Sequence, residues 1–397
     1  MAVTTVNGQR QAAKASLLYR PEVRQVIYQV ILIVAVVFFI WAIASNVAEN
    51  LRRQNIASGF GFWDRTSGFD ISQTLIAYSN TSTYGRAFWA GLCNTLLVAG
   101  LGIVLATILG FVIGISRLST NWLVARLATV YVEVIRNVPP LLQLLFWYFA
   151  VLKNLPGPRQ SLTLPAGASL NVRGLYLPAP IPQPGFGAVT WALLIGVAAS
   201  IAIYIWARRR QMATGERFPV LWTVLGLVIG LPLLAYLFSG MPLALEYPEL
   251  KGFNFQGGMV IQPEFMALLL GLSIYTASFI AEIVRAGIQG VSIGQKEAAR
   301  ALGLTNGQVL RLVVIPQASR IIIPPLTSQY LNLTKNSSLA VAIGYPDFVS
   351  VFTGTVLNQT GQAVEVILLT MLVFLTISLL TSAFMNWFNK RMALVER

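Results

Sequence analysis

Apolar runs about 20 residues long, enough for a helix to cross the hydrocarbon core of a bilayer, recur along the whole chain. They fall at 26–44, 88–115, 130–152, 189–206, 220–238, 264–288, 322–344 and 364–387. The stretches between them differ in kind. Residues 45–87 are polar and aromatic, while 153–188 hold seven prolines, from Pro156 to Pro184. Such a proline-rich loop predicts irregular or polyproline structure rather than helix. The pattern divides the chain into an anchor helix with a following loop (1–87), a first part of a helical core (88–152), the proline-rich loop with an inserted helical hairpin (153–263), and a second part of the core (264–397) interrupted by a polar loop at 290–320. The predicted class is an all-α membrane protein with about eight transmembrane helices. Ala42-Ile43-Ala44 looks like a cleavage site, but the first run outlasts the roughly 7–15-residue core of a signal peptide, so it predicts an uncleaved anchor.

Composition narrows the chemistry. Only 11% of the 397 residues are charged, against about 25% in soluble proteins. With no histidine and a single cysteine, Cys93, the chain offers no His-Cys zinc site, histidine-ligated haem, Ser-His-Asp triad or intrachain disulfide. It has no G-x-x-x-x-G-K-[ST] phosphate loop and no visible catalytic constellation. The net charge of +14 is scattered among apolar spans rather than gathered into a patch, which argues against a nucleic-acid partner and for membrane lipid. Lys and Arg concentrate in cytoplasmic loops of membrane proteins. Here they gather in the first tail (Arg10, Lys14, Arg20, Arg24), after the second span (Arg117, Arg126), after the fourth (Arg208, Arg209, Arg210, Arg217), in the polar loop (Lys296, Arg300, Arg311, Arg320) and in the last tail (Lys390, Arg391, Arg397). Eight spans with both termini cytoplasmic satisfy this bias, and the polar loop then faces the cytoplasm.

That loop contains EAARALGLTNGQVLRLVVIP, residues 297–316. Ser292-Ile293-Gly294-Gln295 and Thr305-Asn306-Gly307-Gln308 both match a capping box, and Gly303 stands where a helix needs a left-handed stop. The expectation is a helix over 293–302, a turn at Gly303-Leu304, a second helix over 306–315, and an end at Pro316. Val309, Leu310, Val313 and Val314 give the second helix an apolar stripe, leaving Glu297, Arg300 and Arg311 to water. Local features alone fit a well-capped connector equally well.

The spacing resembles the EAA loop of ABC-importer permeases: E-A-A, three residues, G, nine residues, I-x-L-P. Here it reads Glu297-Ala298-Ala299, Gly303, Val313-x-Ile315-Pro316, with two aliphatic exchanges. The stretches NTLLVAGLGIVLATILGFVIGISRLS (94–119), YVEVIRNVPPLLQLLFWYF (131–149), SIYTASFIAEIVRAGIQGV (273–291) and PQASRIIIPPLTSQYLNLTKNSSL (316–339) resemble the core of the polar-amino-acid branch of that family (HisM/GlnP-like). Together they cover roughly half the chain. The segment 57–88 and the inserted hairpin are similar to the general L-amino-acid permeases of the Aap/Bzt type, nearest their Q-like (BztB-like) subunit.

The resemblance implies a type I ABC-importer permease core in a bacterial inner membrane, working by alternating access. Its coupling helix would dock on a separate ATPase through Glu297, Ala298, Ala299, Arg300, Gly303 and Pro316. No cofactor would sit in this chain, because ATP and Mg would be bound by two copies of the ATPase subunit. A second homologous permease and a periplasmic amino-acid-binding protein would complete the system, with a broad range of polar L-amino acids, acidic and amide ones included, as substrate.

Polar residues inside spans are candidates for function. Glu133 and Arg136 lie three apart on the third span, a spacing that lets them neutralise each other as a structural ion pair. Glu282 and Arg285 repeat it on the sixth span and extend a stripe with Tyr275 and Ser278. That stripe, Gln143, and the cluster Lys335, Asn336, Ser337 and Ser338 are candidates for a substrate pathway or gate, since they hold donors for a carboxylate and acceptors for an ammonium. Hydrogen bonding between helices is the competing reading for the Lys335 cluster. Pro139-Pro140 and Pro324-Pro325 predict two broken helices. Gly102, Ala106, Gly110 and Gly114, every fourth residue, predict close helix packing. Two other classes stay open: an ion-coupled secondary amino-acid transporter, for which no inverted repeat is visible, and a non-translocating structural subunit, whose polar stripes would face protein.

Overall fold

The computed structural model describes residues 21–53, 58–216 and 218–392; Arg10, Lys14, Arg20, Arg217 and Arg397, which weigh in the charge bias, lie outside them. Seven of its helices are long and apolar enough to cross a membrane, or up to eight if one bent pair counts as a span. Helix α1 (Pro21–Arg53) buries none of its apolar window within the chain. Helix α2 (Tyr84–Ser116) starts on Thr83, whose side chain accepts from the Arg86 amide, and packs along α8 (Pro263–Gln289). Small residues make that approach possible. A Cβ on Gly110 would stand 2.5 Å from Ile280 Cβ, and one on Gly114 2.6 Å from the Ala281 carbonyl. Gly102 takes Leu333 of α11 (Ile315–Asn336) in the same way. The predicted small-residue stripe is thus the seam of the core, where Val98, Leu272, Ile280, Val284 and Leu333 are buried.

The third apolar run is not one straight helix. Helix α3 (Trp122–Asn137) and α4 (Pro140–Leu145, continued in wide and tight turns to Asn154) meet at 106°. Val138 is extended at the break, as a residue before proline prefers. Gln143 Nε2 donates to the Ile135 and Val138 carbonyls, at 2.8 and 2.9 Å, and so bridges the break; the Ile135 carbonyl is the one an amide at position 139 would have served. The bent pair still carries the chain from Arg117, beside Glu282 near the end of α8, to Lys153, beside Glu264 at its start.

The proline-rich insert corrects the all-α expectation. Instead of polyproline structure it contains strands β1 (Leu162–Leu164), β2 (Ala168–Asn171), β3 (Gly174–Leu177) and β4 (Ala179–Pro182). After the hairpin of α5 (Phe186–Thr214), α6 (Val220–Leu225) and α7 (Leu231–Phe238) come β5 (Leu243–Glu246), β6 (Glu249–Lys251), β7 (Asn254–Gln256) and β8 (Met259–Ile261). One antiparallel sheet runs β1-β2-β3-β8; β4-β5 and β6-β7 are separate pairs. The prolines permit this by position. Pro180 and Pro182 lie two apart on β4, which has a single partner, so both missing amides point to the same unpaired edge.

Beyond α8 lie α9 (Ile293–Ala301) and α10 (Asn306–Val309). The second helix does not stop at Pro316: α10, a wide turn at Leu310–Val314, α11 and a tight turn to Ile343 form one 38-residue run. The Ile315 amide bonds to the Leu310 carbonyl, five residues back. Pro316 therefore falls where the ladder changes register and its missing donor breaks little. Pro324-Pro325 likewise lie inside α11 without ending it, flanked by buried Ile322, Ile323 and Leu326. Helix α12 (Leu357–Thr360) and α13 (Ala363–Met392) are the last helices of the described residues.

Candidate functional site

The polar loop is a folded corner. The Gly303 amide bonds to the Arg300 carbonyl (2.9 Å) and the Leu304 amide to the Ala299 carbonyl (3.3 Å), the paired bonds of a Schellman stop. Gly303 sits at φ +80°, where a side chain would be strained. Of the two predicted capping boxes, Thr305–Gln308 forms; Ser292 makes no side-chain cap. Ala299 is buried and anchors α9, whereas Glu297, Ala298 and Arg300 are exposed. Ile293 and Leu302 are more than two-thirds exposed, so α9 turns two large apolar residues and a carboxylate away from the bundle. Pro316 belongs to α11, outside this face. Val309 and Val314 are buried, Val313 is half-buried and Leu310 is exposed, so only part of the expected apolar stripe is covered.

Near the α9 end of α8, Glu282 takes both neighbouring cations. Arg285 reaches both of its oxygens, with Nε at 3.1 Å, and Arg117 from the end of α2 meets the same carboxylate. The Arg117 side chain is 10% exposed, so this cluster ties α2 to α8. Arg117 was legible only as a loop cation; its role needs the α2–α8 crossing. Elsewhere the predicted stripe is less continuous. Ser278 is buried and donates to the Tyr275 carbonyl at 2.6 Å; Tyr275 packs on Phe279 at 5.0 Å between ring centres. Ser337 and Ser338 donate to the Thr334 and Lys335 carbonyls. Lys335 is exposed, Asn336 is half-buried, and Lys335 forms no ion pair among the described residues.

Glu133 and Arg136 do not form the expected ion pair among the described residues; both are exposed, and Arg136 lies over the Phe279 ring at 5.0 Å. A guanidinium gains from an aromatic face without giving up its water. Gln143 is spent on the helix break, with its Oε1 buried and without a hydrogen bond in the structure.

The opposite end of α8 holds a cluster that sequence reasoning missed. Glu264 Oε1 accepts from Tyr148 Oη at 2.7 Å and lies 3.5 Å from Lys153 Nζ, which itself stands over the Tyr148 ring. A cleft of about 440 Å³ opens here, between the start of α8, the β2–β3 turn and Gly344. The one signal available in the chain was an acid directly after Pro263, in the first turn of a span.

Residues 214–394 match the family described as binding-protein-dependent transport system inner membrane component. The chain is 58% identical to the general L-amino acid transport system permease protein AapQ of Rhizobium johnstonii, over 96% of this chain and 95% of that one. It is 54% identical to the putative amino-acid ABC transporter permease protein YhdX of Escherichia coli, over 99% and 100%. It is 43% identical to the glutamate/glutamine/aspartate/asparagine transport system permease protein BztB of Rhodobacter capsulatus, over 96% of each. A solved amino acid ABC transporter with histidines aligns with 78% of this chain and 95% of its own, at 22% identity and a TM-score of 0.46.

Proposed function

The chain belongs to the inner-membrane permeases of binding-protein-dependent transport systems, in the amino-acid ABC transporter branch, and from that membership we propose how it works. It is a multi-pass inner-membrane transport component. In this proposal α9 is the coupling helix, the α9 end faces the cytoplasm, and both termini lie on that side after eight crossings. Two copies of an ATPase subunit bind ATP and Mg, and this chain holds no cofactor. A second, homologous permease completes the path, and a periplasmic binding protein delivers broad-specificity polar L-amino acids from the other side.

The observation that carries the reading is the outward face of α9: Ile293, Leu302, Glu297 and small Ala298 on a helix stopped sharply at Gly303. A rigid element of this kind passes a push from a docked partner to the helices on either side of it. On its two sides lie α8, three residues before, and the long α10–α11 run. ATP-driven closure of the ATPases draws the coupling helices together and opens the path outward; hydrolysis returns it inward. Glu282 and Arg285, with Arg117, form the inner gate of this scheme; Tyr275, Ser278 and the Lys335–Ser338 cluster remain pathway candidates, Gln143 a structural one.

The test is amino-acid-stimulated ATPase activity of the purified complex in liposomes. Glu297→Arg combined with Gly303→Pro is expected to abolish stimulation and co-purification of the ATPase while the permease stays folded in detergent. Full stimulation in that variant sinks the coupling role.

A further inference from the structure

We propose that the cleft at the start of α8 is a charge-selecting site for amino acids with a net negative charge, entered before the substrate reaches the core of the bundle. The assignment rests on the transport reading above and deepens it. The cleft is built by parts distant in the chain: Ser72, Lys153, Arg173, Gln262, Glu264 and Gly344 all line it. Its volume, about 440 Å³, lies within the usual range of small-ligand sites, about 300–1,000 Å³, and leaves room for an amino acid with several waters, each about 30 Å³ in the liquid.

The charges are unequal. Lys153 and Glu264 are already neighbours at 3.5 Å, and Tyr148 supplies Glu264 with a further donor. Arg173 adds a second cation and forms no ion pair among the described residues. One positive charge is therefore unbalanced in a cleft whose single carboxylate is occupied. A guanidinium fork binds a carboxylate through two parallel hydrogen bonds, which gives a dicarboxylic amino acid an advantage over its neutral amide.

An exposed arginine on a β-turn is by itself only a solvated cation. Here the turn is held in place. Gly174, at φ +133°, lies so close to the Ile261 carbonyl that a Cβ would collide with it, and Ile261 leads directly into α8. The Val172 amide bonds to the Pro156 carbonyl at 3.0 Å, which pins the other side of the turn to the segment following Lys153. Gln262 Nε2 donates to the Ser72 carbonyl at 2.7 Å and closes the wall. The proline-rich insert thus delivers Arg173 to the mouth of the cleft.

The experiment uses the whole complex in liposomes with saturating binding protein, and compares maximal uptake of glutamate with that of glutamine. Arg173→Gln is expected to lower the glutamate-to-glutamine ratio by about tenfold, the effect of losing one charge-assisted contact. Arg173→Lys, which keeps the charge but loses the fork, is expected to recover part of it. An unchanged ratio overturns the site, whether both rates hold or both fall together. A wild-type complex that takes up neither substrate overturns the transport reading itself, and the site with it.

Discussion

Helix α8 carries one acid near each end, and the two are treated in opposite ways. Glu282 is shared by two arginines, one of them from α2, and joins two helices of the core. Glu264 is shared by a lysine and a tyrosine and looks into a cleft. The residue type and helix are the same; what differs is how many cations converge and how exposed those cations are. A carboxylate with two partly buried cations carries stability whatever else it does, because removing it strands charge away from water. At Glu264 the one cation, Lys153, is 38% exposed and has water to fall back on.

The largest effect is therefore expected at Glu282. Glu282→Ala leaves Arg117, 10% exposed, and Arg285 without their carboxylate, and should destabilise the permease by about 3 kcal/mol. A thermal melt in detergent would read this directly. Replacing Arg117→Met together with Glu282→Met should recover much of the loss, because the more buried cation goes with the acid while Arg285, 29% exposed, keeps its bond to Gln289. A loss below about 1 kcal/mol in the single variant would make the cluster an ordinary surface pair. By contrast, Glu264→Gln should cost about 1 kcal/mol or less in the same melt, since Tyr148 can still donate to the amide oxygen and Lys153 turns to water. Equal losses at the two ends would erase the distinction.

The seam between these ends supplies an intermediate effect. Gly110→Ala puts a Cβ 2.5 Å from that of Ile280, so α2 and α8 must part, at a cost of about 1–3 kcal/mol. Gly100→Ala, on the same helix with nothing near its Cβ, should be neutral or slightly stabilising. A loss at Gly100 as large as that at Gly110 would show that helix flexibility, not close approach, sets the cost.

This seam and the polar loop were legible in the chain because their signals are local. A small residue every fourth position and a glycine at a helix end each imply geometry within a few residues. Signals that need distant partners were not legible. Residues lining the cleft come from positions as far apart as Ser72 and Gly344, and Arg117 meets Glu282 only after α2 has crossed α8. Some local rules also gave way to their surroundings. Pro316 read as a stop and Pro324-Pro325 as a break, yet the run from Asn306 to Ile343 passes through them, helped at Pro316 by a wide turn. The prolines of the insert read as irregular chain, yet Pro180 and Pro182 sit where a strand needs no donor. Glu133 and Arg136 had the right spacing, but an aromatic ring competed for the cation.

The smallest effects separate two signals that look identical in the sequence. Ser292 and Thr305 each stand three residues before a glutamine, but only Thr305 makes the reciprocal bonds, with Gln308 N to Thr305 Oγ1 at 3.4 Å and Thr305 N to Gln308 Oε1 at 2.9 Å. Ser292→Ala should leave amide exchange across α9 unchanged, since no cap is lost. Thr305→Ala should speed exchange at the start of α10 by up to about fivefold, corresponding to roughly 1 kcal/mol of local stability. The same two variants bear on the coupling role. If α9 is held by Ala299 and by the Schellman stop rather than by its first turn, both should retain ATPase stimulation. Lost stimulation in Ser292→Ala alone would place the serine hydroxyl on the docking surface instead.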